Sequence, residues 1–354
     1  MNVNIQGLRG MAVLLVLFTH MFRVEENYYS DTVIPDFVLS GFVGVDIFFI
    51  ISGFIMYITT VNIDKRDTFF NMVDFLRKRA VRIYPPYWVF SIILLVFAAF
   101  FPNMVFSGAE YSLWSSLLLI PDLNQPILAV GWTLIHEMYF YLVFSFFLLF
   151  SRGSLNLLLF LWGSLVLVLD WYLVDKGSFL TLALSPLTIE FIIGVYIGSA
   201  YFSFKDKFSK INPALVYTYV VAFPFIVYFL YEAYYIHAPG HLSRTLLFSL
   251  PCSLLVLSLL VFESKKKFVP NVFVMIGNSS YSIYLSHVLV INVIAKIFFF
   301  LSLDIGAVEN YALVFTMFFA SVIFGYISYL VLEVKLGHKL NKLTDISSLS
   351  RLSR

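Results

Sequence analysis

Residues 5–23 read IQGLRGMAVLLVLFTHMFR, and this stretch decides the fold class. Between Arg9 and Thr19 every residue is apolar or glycine. A helix needs about 20 mainly apolar residues to cross a bilayer. Because His20, Arg23 and further charged residues follow, with no small-residue cleavage site, the stretch predicts a retained membrane helix rather than a cleaved secretory signal.

The whole chain repeats this apolar character. Of its 354 residues, 60% are hydrophobic and 12% are charged, whereas a soluble domain carries about 25% charged residues. Forty Phe and 22 Tyr suit a lipid-facing surface with aromatic residues near the headgroups. The composition therefore predicts an all-α integral membrane protein.

Runs of apolar residues set the number of helices, because lipid leaves the backbone of a spanning segment no other hydrogen-bond partners. We predict about ten transmembrane helices, near residues 5–23, 42–61, 84–102, 131–150, 154–173, 182–203, 212–231, 245–262, 277–300 and 310–333. Residues 111–130 are apolar but contain Pro121, Asp122 and Pro126, so they are predicted to be re-entrant or interfacial. Residues 1–334 form one predicted membrane domain, and 335–354 a short basic, Ser-rich cytoplasmic tail.

The distribution of Lys and Arg predicts the orientation. With the N-terminus inside, 19 of the 23 basic residues lie on the inner side, and only Arg23, Lys176, Arg244 and Lys296 lie at the outer side. Positive loops stay cytoplasmic, so both termini are predicted to be cytoplasmic.

Several classes of site are absent from the sequence. It has no phosphate-binding Walker loop, no dinucleotide glycine fingerprint and no metal-ligand cluster. Its single cysteine, Cys252, excludes an intramolecular disulfide. We therefore expect no bound metal and no nucleic-acid partner.

Ionisable residues inside apolar spans are candidate functional residues, because each costs about 2.5–3.5 kcal/mol at a helix centre on insertion scales. Arg9 and His20 are eleven residues apart, which is three turns plus about 20°, so they share one helix face about 16 Å apart. A cation for phosphate in line with a titratable base suits a long phosphorylated acyl carrier. The alternative is an interfacial arginine and a packing histidine.

Two other clusters each have two interpretations. Gly44 and Asp46 open the second helix, where glycine permits close helix contact and Asp46 is a functional carboxylate or one half of an ion pair. Arg77, Arg79 and Arg82, in the segment RKRAVRIYPPYW predicted to precede a helix, either bind phosphate or anchor the topology.

Two spans carry further candidates. Glu137, in GWTLIHEMYFY, lies at a depth where it can meet His20, and a carboxylate fixes an imidazole tautomer and raises its basicity. The alternative is a Glu137 whose carboxylate is satisfied by a Tyr or Trp side chain. Tyr284 and His287, in IGNSSYSIYLSHVL, are three residues apart and can share a face.

These five segments together resemble membrane acyltransferase family 3, in the order in which that family carries them. The match runs over about residues 5–290, and the Trp132-Thr-Leu variant of the fourth segment is similar to the exopolysaccharide O-acetyltransferase branch. The resemblance implies a bacterial inner-membrane enzyme that moves acetyl groups from acetyl-CoA to sugar hydroxyls of surface glycans. It maps the family's functional positions onto Arg9, His20, Arg79, Arg82, Glu137, Tyr281, Tyr284 and His287.

One departure concerns the fourth helix. Many relatives carry paired acidic residues there, whereas Met138 takes the second place in this chain, so Glu137 is expected to act alone.

The resulting hypothesis assigns His20, Glu137, His287 and Tyr284 to catalysis. Arg9, Arg77, Arg79 and Arg82 are assigned to the acetyl-CoA phosphates, and Gly44, Asp46, Trp132 and Tyr281 to the shape of the site. The alternative is a transporter or flippase with a buried His/Glu proton relay. The acceptor sugar and the oligomeric state are left open by the sequence.

Overall fold

The computed structural model describes residues 2–28, 32–62, 68–100, 111–173, 177–237, 240–301 and 307–345. Over these residues the secondary structure is helical and contains no strand. Nine helices in the described ranges are long and apolar enough to cross a bilayer. The predicted all-α membrane fold is confirmed.

The helices follow one another with short connections. They are α1 Val3–Tyr28, α2 Gly44–Thr60, α3 Thr68–Phe100, α4 Leu113–Leu118, α5 Gly131–Phe147, α6 Arg152–Tyr172, α7 Ser178–Ala183, α8 Thr188–Ser203, α9 Lys205–Lys210, α10 Pro213–His237, α11 His241–Ser264, α12 Asn271–Asn278, α13 Ser280–Leu301, α14 Ala307–Ser328 and α15 Gly337–Leu343. A 3₁₀ segment, Asp36–Val43, leads into α2, and a π-helical segment, Tyr329–Leu336, joins α14 to α15.

Each of the ten predicted spans overlaps a helix of the structure. The predicted span at 131–150 corresponds to α5, which has 17 residues and covers about 26 Å at 1.5 Å per residue. That length is slightly below the usual bilayer core of about 30 Å. The span predicted at 310–333 does not end there, because the helical chain continues through Tyr329–Leu336 into α15.

The predicted start of the third span was wrong. The sequence placed it at residue 84, after a basic loop, whereas α3 begins at Thr68 and has 33 residues. Pro85 and Pro86 lie inside this helix rather than at its first turn. Proline removes a backbone donor and usually kinks or ends a helix, but an apolar helix can continue across it when neighbouring groups satisfy the freed backbone.

Residues 111–130 contain no spanning helix, as predicted. The six-residue α4 ends at Leu118 and is capped by Leu119, whose φ of 54° is left-handed. Three α3 side chains hold the segment: the Tyr84 and Tyr87 hydroxyls donate to the carbonyls of Leu118 and Ser116, at 3.0 and 2.9 Å. The Trp88 indole donates to Leu117, at 2.8 Å.

The chain divides into two compact units. Unit 1 comprises Met1–Tyr57 and Ile193–Tyr329, and unit 2 comprises Ile58–Ile192 and Leu330–Arg354. The predicted division between residues 334 and 335 stays a prediction.

In unit 1, α1 packs so closely that several contacts leave no room for a side chain. A Cβ added to Gly10 would lie 2.1 Å from the Phe273 carbonyl oxygen, and one added to Gly277 would lie 1.8 Å from that of Gln6. A Cβ at Gly44 would lie 2.3 Å from the Ala12 carbonyl oxygen. The backbone of α1 is therefore in direct contact with α12 and α2, as expected for small residues between membrane helices.

Polar contacts hold the start of α1 against the end of α11. The Glu263 carboxylate accepts hydrogen bonds from the backbone N–H groups of Val3 and Asn4, at 3.3 and 2.9 Å. The Asn4 amide donates to the carbonyls of Leu259 and Lys267 and accepts from Val269. These bonds satisfy first-turn donors that a helix leaves without intrahelical partners.

Aromatic side chains form the core of unit 2. Phe140 stacks on Phe191 with ring centroids 4.5 Å apart, and its ring centroid lies 5.8 Å from that of Trp162. Phe75 of α3 meets Tyr141 and Phe144 of α5 at centroid distances of 6.1 and 5.8 Å. This packing fixes the faces of α3 and α5 that carry charged residues.

The glycine contacts of α1 lead to a stability prediction. Gly10→Ala should lower the thermal unfolding midpoint of the detergent-solubilised protein, because overpacking typically costs about 1–3 kcal/mol. Gly153→Ala is the matched control, since the nearest atom to its added Cβ is 4.0 Å away. An equal midpoint for the two variants would contradict the close packing of α1.

Candidate active site

Two imidazole rings meet in unit 1. His20 lies on α1 and His287 on α13, with ring centroids 4.9 Å apart and ring planes at 77°. His287 is completely buried, and its Nε2 lies 3.5 Å from Nδ1 of His20. The structure thus brings together two residues that are 267 positions apart in the sequence.

Backbone carbonyls define which ring nitrogen carries the hydrogen in each histidine. Nδ1 of His20 lies 2.9 Å from the Val16 carbonyl oxygen, and Nδ1 of His287 lies 2.7 Å from that of Tyr284. A carbonyl oxygen only accepts, so both Nδ1 atoms carry hydrogen, and in the neutral rings both Nε2 atoms carry a lone pair. The Nε2 lone pair of His287 therefore faces the Nδ1–H of His20, and Nε2 of His20 is the basic atom of the pair.

Tyr284 and Tyr281, both predicted site residues, lie on the same helix as His287. The Tyr284 ring centroid is 5.8 Å from that of His287 and 6.1 Å from that of Phe48. Both tyrosines are buried.

Arg9 is buried on α1. It lies on the same face of the helix as His20, as the spacing predicts. Its Nη1 donates to the Gln6 Oε1, 3.3 Å away. A buried guanidinium has lost water and gains most from hydrogen-bond acceptors. The predicted role of Arg9 in phosphate binding stays a prediction.

Asp46 and Gly44 hold α2 against neighbouring helices. Asp46 is fully buried and forms a two-pronged ion pair with Arg244, at 2.9 Å from Nε and 2.6 Å from Nη2. The guanidinium also lies 4.7 Å from the centroid of the Phe42 ring. Of the two interpretations of Asp46, the structure supports the ion pair, which links α2 to α11.

A second polar group lies in unit 2, on α3 and α5. The Tyr141 hydroxyl donates to the Glu137 carboxylate. The Arg79 guanidinium carbon lies 5.5 Å from the Tyr141 ring centroid and 5.2 Å from that of Phe75. Sequence reasoning missed Tyr141, although its i, i+4 spacing from Glu137 places both on one helix face.

The basic residues of α3 differ in their partners. Nη2 of Arg79 donates to Thr59 Oγ1 at 3.3 Å, and its buried Nε has no hydrogen-bond partner among the described residues. Arg77 is held by Asp74, at 2.7 and 3.0 Å, and by the Thr344 hydroxyl, at 2.9 Å. Arg82 is half-buried one turn further along α3.

Two other predictions concern unit 2. Trp132 packs edge-on against His136, with centroids 5.6 Å apart, and shapes the start of α5. The predicted pairing of His20 with Glu137 joins residues of different units and stays a prediction. Within the described ranges, no group of three or more His, Cys, Asp or Glu is arranged to hold a metal ion.

A family model described as an acyltransferase domain matches residues 2–330 of the chain. The match includes every predicted site residue. No solved structure matches the chain.

Three other proteins are similar to this chain in sequence. The exopolysaccharide production protein ExoZ of Rhizobium meliloti (strain 1021) is 30% identical over 322 residues, covering 83% of this chain and 88% of ExoZ. The acyltransferase MdmB of Streptomyces mycarofaciens is 28% identical over 40% of this chain and 38% of MdmB. The peptidoglycan O-acetyltransferase OatA of Listeria monocytogenes serovar 1/2a is 24% identical over 41% of this chain and 24% of OatA.

The buried ion pair gives a second stability prediction. Asp46→Asn should destabilise the protein by about 3 kcal/mol, because it leaves the Arg244 charge buried without a counter-charge. Asp74→Asn breaks a partly exposed pair within α3 and should cost less than about 1 kcal/mol. Chemical denaturation followed by tryptophan fluorescence compares the two. A larger loss for Asp74→Asn would show that Asp46 does not act through Arg244.

Proposed function

The chain belongs to the acyltransferase family whose domain model it matches, and from this premise we propose that it is a membrane O-acetyltransferase acting on a carbohydrate hydroxyl with acetyl-CoA as donor. The names of two relatives support the finer part of this proposal. One takes part in exopolysaccharide production, and the other acetylates peptidoglycan. The contact between His20 and His287 carries the mechanism.

His20 is the proposed general base. Its Nδ1–H donates to the Val16 carbonyl and also faces Nε2 of His287, so the free Nε2 lone pair is the atom that accepts the proton of the attacking sugar hydroxyl. As the hydroxyl oxygen bonds to the acetyl carbon, the carbon–sulfur bond breaks and Nε2 returns the proton to the departing CoA sulfur. Proton transfer of this kind contributes about 10²–10⁴-fold to a rate.

His287 is proposed as a positioning residue. Its only N–H in the neutral form is used by backbone carbonyls, so it has none left to donate to a developing oxyanion. Its Nε2 lone pair instead faces the His20 Nδ1–H at 3.5 Å. That contact favours the charged His20 ring formed during proton transfer and keeps the ring in the reactive orientation.

Arg79 and Arg82 of unit 2 are proposed to bind the donor phosphates, and Arg9 of unit 1 is proposed separately as a phosphate-binding residue. The buried Arg79 Nε, which has no acceptor among the described residues, fits a phosphate oxygen, and a guanidinium binds phosphate through two parallel hydrogen bonds. Arg77 is a weaker candidate, because Asp74 and Thr344 already occupy its fork. When bound, acetyl-CoA supplies an acetyl group activated as a thioester.

The first functional prediction concerns His20. His20→Ala should lower acetyl transfer by about 10²–10⁴-fold, because the base is lost. The measurement is release of free CoA thiol by the purified protein in detergent, with and without acceptor polysaccharide. His136→Ala is the matched control, since His136 contacts Trp132 and lies outside the imidazole pair. A transporter would give no thiol release with either variant or with the parent protein.

The second functional prediction separates orientation from packing at His287. His287→Leu should lower kcat by about 10–100-fold, the range found when hydrogen-bond partners of metal-bound imidazoles are removed. His287→Gln keeps an acceptor oxygen and should recover part of the loss. Equal rates for the two variants, at unchanged melting temperature and acetyl-CoA KM, would rule out positioning through this hydrogen bond.

A further inference from the structure

Tyr141 links two of the predicted site residues of unit 2. It is buried on α5, and its hydroxyl donates to the Glu137 carboxylate one turn earlier on the same helix. The face of its ring lies against the Arg79 guanidinium of α3, whose central carbon is 5.5 Å from the ring centroid. One side chain therefore contacts both the carboxylate of its own helix and the cation of the neighbouring helix.

Two aromatic rings hold the Arg79 guanidinium. The Phe75 ring centroid lies 5.2 Å from the guanidinium carbon, and Phe75 meets Tyr141 edge to face, with ring centroids 6.1 Å apart. Contact with a ring face attracts the cation and leaves its N–H groups to bind acceptors. Nη2 donates to Thr59, whereas the buried Nε has no hydrogen-bond partner among the described residues. A buried donor without an acceptor is costly, and a bound anion would satisfy it.

The Glu137 carboxylate can compete with such an anion. It lies near enough to Arg79 for the two charges to interact. In a partly buried site this attraction is stronger than in water, because the medium screens it less. A carboxylate that turned to the guanidinium would neutralise it and repel an incoming phosphate. The Tyr141 hydroxyl opposes this movement, because it gives the carboxylate a charge-assisted hydrogen bond of its own.

We propose that Tyr141 is a positioning residue of the donor-phosphate site. Its ring orients the Arg79 guanidinium, and its hydroxyl restrains the Glu137 carboxylate, so that the charge of Arg79 is left for a phosphate oxygen. This inference rests on the proposed function, because it assigns a role in binding the donor of that reaction. It predicts that loss of the hydroxyl weakens donor binding only while the carboxylate is present.

The first test measures equilibrium binding of CoA, which carries the donor's phosphates and no acetyl group, to the full-length protein in detergent by calorimetry. Tyr141→Phe keeps the ring and removes the hydroxyl, and it should raise the Kd for CoA about 10-fold, within the coupling found in one hydrogen-bond network. Tyr139→Phe is the matched control on α5, since the Tyr139 hydroxyl donates to the Ala183 carbonyl. Equal Kd values for the two variants would overturn the positioning role.

A double variant distinguishes positioning from packing. In Glu137→Gln/Tyr141→Phe no carboxylate charge remains to compete for Arg79, so the Kd for CoA should fall back to that of the parent protein or below it. If loss of the hydroxyl only loosened the packing of α5, the double variant would bind CoA no better than Tyr141→Phe. That result would also overturn the positioning role.

Inorganic pyrophosphate separates this inference from the proposed function. If the parent protein binds pyrophosphate but not CoA, and the Tyr141 variants change pyrophosphate binding in the predicted way, Tyr141 positions a phosphate site and the proposed donor is wrong. If the parent protein binds CoA and the Tyr141 variants bind it equally well, the donor stands and the positioning role is wrong. Binding of neither ligand would overturn both.

Discussion

The close contact between the backbone of α1 and its neighbours is the constraint on which unit 1 depends. Gly10 and Gly277 remove the side chains that would hold α1 and α12 apart, and Gly44 does the same for α2. Helices in a bilayer gain little from burying apolar surface against each other, so van der Waals contact at short range supplies much of their association. Arg9 and His20 are then enclosed by protein along the same helix, where a charge or a base can be functional.

The break after α12 places the second imidazole. Helix α12 ends at Asn278, and α13 starts at Ser280 with a polar, buried first half that contains Ser282, Ser286 and His287. The Ser286 hydroxyl donates to the Ser282 carbonyl within the helix, so this serine is satisfied locally. His287 differs, because its second nitrogen points out of its own helix toward His20. The two rings meet only because α1 lies close to α13.

Much of this architecture was predictable, because lipid requires long apolar helices and the sequence shows them directly. The start of α3 was not, since two adjacent prolines indicate a helix start more often than an interior. Side-chain partners were less predictable still: Asp46 and Arg244 are 198 residues apart, and nothing local indicates their pairing. The i, i+4 spacing of Glu137 and Tyr141 was visible, but it gains meaning only once Arg79 is found beside Tyr141.

The basic segment of α3 shows why a charge cluster alone did not decide between phosphate binding and a topology anchor. In a loop, Arg77 and Arg79 would be equivalent, but in a helix two residues are about 200° apart. Arg77 consequently faces Asp74 and the end of α15, whereas Arg79 enters the core beside Tyr141. Arg77, which is partly buried and fully paired, suits an anchor, and the buried Arg79, whose Nε has no partner among the described residues, suits an anion. The two interpretations can therefore be divided, with the anchor assigned to Arg77 and the proposed phosphate contact to Arg79.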